Sequence, residues 1–197
     1  MLTFKNKQVN RKEDALMQTT KLKQMILNAQ FAVIIAIIAQ ITIPLGPIPL
    51  TGQTFAVGLA ATILGGWNSM IAVCIYLLMG LIGVPVFAGF SAGISALLGP
   101  TGGFLIGFIF NALATGWILE KTKFNLPWGI LANLAGALIT LLFGTIWLKY
   151  GTGLDWQAAF TGGFIPFIIP GILKALLAAF CGIAIRRRLA KGSYLTD

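Results

Sequence analysis

The sequence contains no histidine and only two cysteines. These two residue types supply most transition-metal ligands in proteins, and histidine is the commonest general base in enzymes. Cys74 and Cys181 both lie inside apolar runs, which is typical of small core residues rather than of a disulfide pair or a metal site. We therefore expect neither a transition-metal site nor catalysis that depends on histidine.

Acidic residues are also scarce, with five in the whole chain. They fall in the terminal segments or at predicted helix ends, and no two of them form a catalytic pair: Glu13, Asp14, Glu120, Asp155 and Asp197. The glycine-rich run at residues 99–103 lacks the lysine of a phosphate-binding loop. We expect a chain that is not an enzyme, uses no cofactor and cannot hydrolyse ATP by itself.

What the sequence does contain is mostly apolar. Hydrophobic residues make up 57% of the chain and the mean hydropathy is +0.90, whereas soluble domains have roughly 45–50% apolar residues. No charged residue occurs between Gln24 and Leu119. The net charge of +9 does not indicate nucleic-acid binding, because the basic residues lie at helix ends instead of on one polar face. The composition predicts an integral membrane protein.

The apolar runs predict an all-α membrane protein with six transmembrane helices. Proline and glycine clusters separate the runs, as at residues 44–49 and 65–66. We expect a single integral membrane domain over residues 1–197, with a basic tail at 1–24, a core at about 25–185 and a second basic tail at 186–197. The predicted spans are residues 25–43, 55–64, 67–82, 104–119, 128–148 and 163–185, and a short interfacial helix is possible at 15–24.

The distribution of basic residues predicts the orientation. If both termini are cytoplasmic, all but two of the 14 basic residues lie on the cytoplasmic side, and the exceptions are Lys149 and Lys174. The loops at residues 44–54, 83–103 and 150–161 then lie on the outer face. The second of these loops is too apolar for water, so we expect it to fold back as a lid or a re-entrant turn.

Lys174 is the unusual residue of the sixth span, because it lies near the middle of residues 165–185. A lysine at that depth costs about 2.5–3.5 kcal/mol and should meet a partner in a cavity. The sequence offers no acid within the spans, so the counter-charge is expected to belong to an anionic ligand. The alternative is that the side chain extends to the membrane interface or bonds helix carbonyls. We predict an outward-facing binding cavity that contains Lys174 and is covered by the loops between helices 1 and 2 and between helices 3 and 4.

Uncharged polar and aromatic residues complete the predicted cavity. A mostly apolar pocket with a few placed polar groups is what a small ligand needs, although each residue taken alone could instead make a helix contact. The candidate hydrogen-bonding groups are Thr51, Gln53, Tyr76, Ser91 and Asn111, and the candidate apolar walls or lid residues are Phe87 and Phe90.

The first span carries a stripe of small residues. Ala29, Ala32 and Ala36 follow each other at helical spacing, and such small residues allow a second helix to approach closely. That second helix could belong to a partner protein or to the chain itself, and both alternatives fit the spacing.

Two long motifs identify a family that the chain resembles. GPIPLTGQTFAVGLAATILGG (residues 46–66) and GLIGVPVFAGFSAGISALLGPTGGFLIGF (residues 80–108) closely resemble the BioY family, the biotin-binding S-component of energy-coupling factor (ECF) vitamin transporters. The resemblance implies a six-helix protein of a prokaryotic cell membrane, surrounded by lipid, that captures biotin from outside. It also implies an ECF coupling module as partner, with a transmembrane coupling subunit and two cytoplasmic ATPases. The alanine stripe would then be the docking surface for the coupling subunit.

The resemblance is incomplete in the sixth span. The family commonly reads P-F-I-P-G-D-x-x-K there, and PFIIPGILK (residues 166–174) keeps the lysine but has Gly171 at the position of the acid. Lys174 would then meet the ligand directly, at either its carboxylate or its ureido ring. Two other functions fit the same residues: an S-component for another small carboxylated vitamin, and a solitary membrane facilitator or channel.

Overall fold

The computed structural model describes the backbone of residues 2–46 and 48–191 and the side chains of residues 18–46 and 48–189. The described part is almost entirely helical. The helices are α1 (Leu2–Ala39), α2 (Gln53–Leu64), α3 (Gly66–Leu81), α4 (Ile94–Leu98), α5 (Gly102–Lys121), α6 (Leu126–Gly151), α7 (Trp156–Gly163) and α8 (Ile165–Lys191). A 3-10 turn at Ala88–Phe90 precedes α4, and the strands β1 (Thr42–Ile43) and β2 (Leu50–Thr51) pair antiparallel.

Helix α1 begins earlier and ends earlier than the sequence predicted. The expected polar tail at 1–24 is part of one helix that begins at Leu2, because the chain has no proline or glycine before Pro44 and good helix formers throughout this segment. The helix ends at Ala39 instead of residue 43, since Thr42 and Ile43 pair with Thr51 and Leu50.

Four helical segments of the described chain are long and apolar enough to cross a membrane: Gln18–Ala39, Gly102–Lys121, Leu126–Gly151 and Trp156–Leu189. The other two predicted spans correspond to α2 and α3, which have 12 and 16 residues. At 1.5 Å per residue, α2 extends only about 18 Å, against about 30 Å of hydrocarbon. The prediction of an all-α membrane protein is confirmed. Of the six predicted spans, four correspond to described helices long enough for a full crossing, and α2 and α3 are shorter than that.

The two short helices meet at the Gly65–Gly66 turn. Gly65 has φ +84°, which favours glycine, and the backbone N–H of Gly66 donates to Glu120 Oε1 over 2.8 Å. Gly116 of α5 lies directly against this turn, because a Cβ atom there would overlap the backbone of Gly65 and Gly66. Glu120 is therefore at a helix end, as the sequence predicted, and the turn packs closely against α5.

The predicted sixth span, residues 163–185, lies within α8 apart from its first two residues, and a further helix, α7, forms in the segment predicted as the outer loop at 150–161. Asp155 caps α7, with Oδ1 accepting from the N–H of Ala158 at 2.6 Å, and the chain turns at Phe164 into α8. Pro170 lies inside α8 and does not end it, since the helix continues to Lys191. Lys174 follows Pro170 by one turn, so the backbone near the lysine lacks one helical hydrogen-bond donor.

Apolar side chains form two clusters with a space between them. The larger one joins α1, α2, α3 and α5 with Val86 and Phe87 of the loop that follows α3. The smaller one consists of Ile48, Phe104, Leu148, Ala159 and Phe167. The separation of these clusters leaves room for a cavity at the end of α2 where Gln53 lies.

The alanine stripe of α1 was predicted as a docking surface for a coupling subunit, and the structure corrects this for two of its three residues. Ala32 is fully buried and Ala36 is half-buried, and both pack in the larger cluster, because α1 lies against α2 and α3. They mediate packing within the chain, so they do not present a free docking surface. Ala29 is exposed and remains available for a partner.

Candidate ligand-binding site

A partly enclosed cavity lies between the two apolar clusters. The volume open to the centre of a water molecule is about 110 Å³, which is enough for several waters or a small organic molecule. Its apolar wall comes from Ile48, Pro49, Phe87, Ala88, Phe104, Leu105, Phe108, Ala137, Leu141, Phe167 and Gly171, and its polar wall from Thr51, Gln53, Thr54, Ser91, Thr101, Thr140 and Lys174. Five of the predicted residues line this cavity: Lys174, Thr51, Gln53, Ser91 and Phe87.

Lys174 is the charged group of the cavity. Its Nζ donates to the backbone carbonyl oxygen of Thr51 over 2.6 Å. Within the described side chains no carboxylate pairs with it. Gly171 lies one helical turn earlier and also lines the cavity, and no atom lies within 4 Å of where its Cβ would be. An ammonium has three donor hydrogens, so Lys174 can donate to a ligand while it keeps the bond to Thr51.

Thr51, Gln53 and Tyr76 form a hydrogen-bonded chain that starts beside Lys174. The Thr51 hydroxyl donates to Gln53 Oε1 over 2.8 Å, and Gln53 Nε2 donates to the Tyr76 hydroxyl oxygen over 2.6 Å. Thr51 belongs to β2 and Gln53 begins α2, so the hairpin brings both to the cavity wall. Tyr76 is fully buried in α3 and does not line the cavity. It holds the Gln53 amide in one orientation.

The loop between α3 and α4 covers one side of the cavity. We call residues 86–91 the lid segment. The ring of Phe87 packs edge-on against Tyr76, with 5.5 Å between ring centroids, and occupies the space that a side chain at Gly80 would need. Phe87 is 2% exposed, whereas Phe90 is 71% exposed and points away from the cavity wall. Phe87 and Ser91 of the lid segment therefore line the cavity, whereas Phe90 does not.

Asn111 lies outside the cavity wall and bonds neighbouring helices. Its Nδ2 donates to the Thr140 hydroxyl over 3.0 Å, and its Oδ1 accepts from the Thr115 hydroxyl over 3.1 Å. It is 1% exposed. Its amide thus joins α5 to α6, which is the helix contact that the sequence left open as an alternative.

Apart from Lys174, the sequence did not predict the part of the cavity wall that Thr101 and helices α5, α6 and α8 contribute. These residues are Thr101, Phe104, Leu105, Phe108, Thr140, Leu141 and Phe167. One signal was available, because Thr101, Phe104 and Phe108 follow each other at spacings of three and four and so share a helix face. The wall they form is aromatic, which suits the apolar body of a ligand.

The cavity combines one ammonium, a few fixed hydroxyl and amide groups, and an apolar lining. These groups can bind a small molecule that has an apolar body and oxygen atoms able to accept from Lys174. None of the described groups forms a nucleophile with an adjacent base. The geometry is that of a binding site.

Comparison with known proteins agrees with this geometry. A biotin transporter, BioY2, from Lactococcus lactis subsp. cremoris is 43% identical over 182 residues, which are 92% of this chain and 100% of the relative. A biotin transporter, BioY, from Thermotoga maritima is 37% identical over 166 residues, 84% of this chain and 97% of the relative. The crystal structure of the S-component for biotin from an ECF-type ABC transporter superposes with a TM-score of 0.78 at 29% identity, over 88% of this chain and 93% of that one.

The relatives are prokaryotic membrane transporters, and the structural match extends over almost the whole described fold. The resemblance inferred from the two sequence motifs is confirmed by the profile of the BioY family, which matches residues 10–191. The chain belongs to the BioY family.

Proposed function

We propose that the protein captures biotin and delivers it to an ECF transporter as the substrate-binding S-component. The observation that carries the proposal is Lys174 in the wall of a mostly apolar cavity, without a described carboxylate as partner. Relatives that are named biotin transporters, and the solved S-component for biotin, support the same ligand.

The chemistry of biotin fits the two kinds of wall. Biotin has a carboxylate on an apolar chain and a ureido ring that donates and accepts hydrogen bonds. Lys174 donates to an oxygen of the ligand, and Thr51, Gln53 and Ser91 supply further hydrogen bonds. Phe87 and the aromatic residues of α5 and α8 contact the apolar chain and ring. Tyr76 and Asn111 act indirectly, by holding Gln53 and Thr140.

The cavity opens outward in this proposal, and both termini are cytoplasmic. All but two of the 14 basic residues lie on the cytoplasmic side in that orientation. Helices α2 and α3 are then two shortened crossings, which brings the count to six. Single cysteines at Lys123 and Thr152, in a chain with Cys74 and Cys181 replaced by alanine, should react with an impermeant maleimide at Thr152 only. Labelling of the cysteine at position 123 in intact cells would indicate the opposite orientation.

Transport requires partners in this proposal. The chain has no phosphate-binding loop, so energy comes from a coupling module made of a transmembrane coupling subunit and two cytoplasmic ATPases. The exposed side of α1 around Ala29 is the docking surface that remains after Ala32 and Ala36 are assigned to the core.

Equilibrium binding to the purified protein in detergent tests the function. Biotin, lipoate and pantothenate should be compared at equal concentrations, and biotin should bind stoichiometrically and far more tightly than the other two. Preference for lipoate or pantothenate would assign a different carboxylated vitamin. Rapid biotin flux into liposomes that contain the chain alone, without stoichiometric retention, would instead indicate a facilitator.

A further inference from the structure

Gln40 joins the end of α1 to the lid segment. Its Nε2, which has two donor hydrogens, lies 3.1 Å from each of three carbonyl oxygens, those of Val86 and Phe87 in the lid segment and that of Ala36 in α1. Its Oε1 accepts from the backbone N–H of Phe90 over 2.9 Å. Gln40 is not part of the cavity wall. One side chain thus bonds three backbone groups of the lid segment from a helix that is distant in sequence.

The lid segment has a backbone conformation that needs such support. Gly89 and Phe90 both have positive φ, +65° and +58°, and Phe90 is a bulky residue in a region that non-glycine residues rarely adopt. The segment closes on itself through the N–H of Phe87, which donates to the Ser91 carbonyl over 3.0 Å. The Gln40 bonds add a connection to α1 at both ends of this turn.

The position of Phe87 depends on this backbone. Its ring packs against Tyr76 and lines the cavity. Ala88 follows Phe87, whose carbonyl accepts from Gln40, and Ser91 follows Phe90, whose N–H donates to Gln40; both also line the wall. If the lid segment moves outward, these three side chains leave the wall together and the cavity opens. We propose that Gln40 is the latch of the lid, a positioning residue that does not touch the ligand and sets how fast a ligand enters and leaves.

This inference rests on the proposed function, because the rates of biotin association and dissociation measure how the latch acts. The Gln40 bonds involve only protein groups, so they hold the lid closed with or without ligand. Loss of the latch then raises the open population in both states. Association and dissociation become faster together, and the dissociation constant changes little. Damage to the binding site would act differently, because it raises the dissociation rate and the dissociation constant without faster association.

The experiment compares Gln40→Met with Gln30→Met. Methionine keeps the length of glutamine and removes its hydrogen bonds. Gln30 is the matched control, because it lies on the exposed side of the same helix. Biotin association and dissociation rates are measured on purified protein in detergent. In Gln40→Met both rates should rise about tenfold, the change expected from loss of one to two net hydrogen bonds, and the control should match the wild type.

Hydrogen exchange of the ligand-free protein provides a readout that does not depend on biotin. A peptide that covers residues 86–91 should exchange faster in Gln40→Met than in the wild type or in Gln30→Met, while peptides from α5 and α6 stay unchanged. Equal exchange in this peptide would overturn the latch even if the wild type failed to bind biotin, a failure that would reject only the proposed function. Slower or unchanged association, with weaker binding, would also overturn it.

Discussion

Lys174 Nζ has three donor hydrogens, and among the described residues its acceptor is the Thr51 carbonyl oxygen. The remaining donor hydrogens favour a ligand with an oxygen atom that can accept from them. A ligand oxygen that satisfies them forms a charge-assisted hydrogen bond, which is about twice as strong as a neutral one. A lysine that only extended to the membrane interface would not line a cavity. The position of this one side chain in the cavity wall therefore favours a binding role over a packing role.

Replacement of the lysine tests that role. Lys174→Ala should weaken biotin binding by about tenfold to a hundredfold, because hydrogen bonds to charged groups contribute roughly 1.5–3 kcal/mol. Titration of purified protein measures the change, and Lys123→Ala, an exposed lysine in the loop after α5, is the control. Biotin methyl ester identifies the contacted end of the ligand. If the lysine pairs with the carboxylate, the ester binds wild type weakly and the effects of ester and mutation do not add. Unchanged affinity of Lys174→Ala would assign the lysine to structure.

The sequence predicted some cavity residues and not others, for a physical reason. Lys174, Thr51 and Gln53 were recognisable because charge and polar loop residues are rare in an apolar chain. Asn111 was predicted at the cavity and lies between α5 and α6. In a membrane helix both faces are apolar, so the sequence does not reveal which way the helix is rotated. The direction of a single amide, or of Phe90 in a loop, is set by packing that only the fold supplies.

At the scale of helices, boundaries marked by glycine or proline were easier to predict than boundaries without either residue. The turn at residues 65–66 and the start of α6 follow from glycine and proline, and both agree with the structure within two residues. The early start of α1 was missed because no proline or glycine marks a boundary there. Helix α7 was missed as well, because its eight residues lie in the segment predicted as the outer loop at 150–161, whereas the predicted start of the sixth span at residue 163 agrees with α8 within two residues.

The contact between α3 and α5 depends on one glycine. Gly116→Ala should lower the free energy of unfolding by about 1–3 kcal/mol, since the added methyl group overlaps backbone atoms of Gly65 and Gly66, which cannot rotate away. The midpoint of thermal unfolding in detergent measures the change. Gly162→Ala in α7 is the control, because no atom lies within 4 Å of its Cβ position, and alanine there should leave stability equal or slightly higher. Equal unfolding midpoints for both variants would mean that α3 and α5 can move apart to accommodate the methyl group without loss of stability.

Across the whole molecule, the cavity lies between the two apolar clusters. The larger cluster contains parts of α1, α2, α3 and α5, and the smaller one contains Ile48 and parts of α5, α6, α7 and α8. Helix α1 packs one side into the larger cluster, and its exposed side carries Ile26, Ala29, Gln30 and Val33 around a shallow groove, which half-buried Ile34 borders. The cavity and this groove share no lining residue, so the proposed binding and docking functions should be separable by mutation.

Two alanines of α1 test this separation. Ala29→Trp should leave biotin binding by the purified protein within about twofold of wild type, because Ala29 is exposed and does not line the cavity. The same variant should lose most biotin uptake in cells that also produce the coupling module, because the indole fills the groove on α1. Ala32→Trp should fail to fold, since Ala32 is fully buried and overpacking a helix contact is destabilising. Normal uptake by Ala29→Trp would exclude this side of α1 as the docking surface, and loss of binding by the purified variant would mean that the groove and the cavity are coupled.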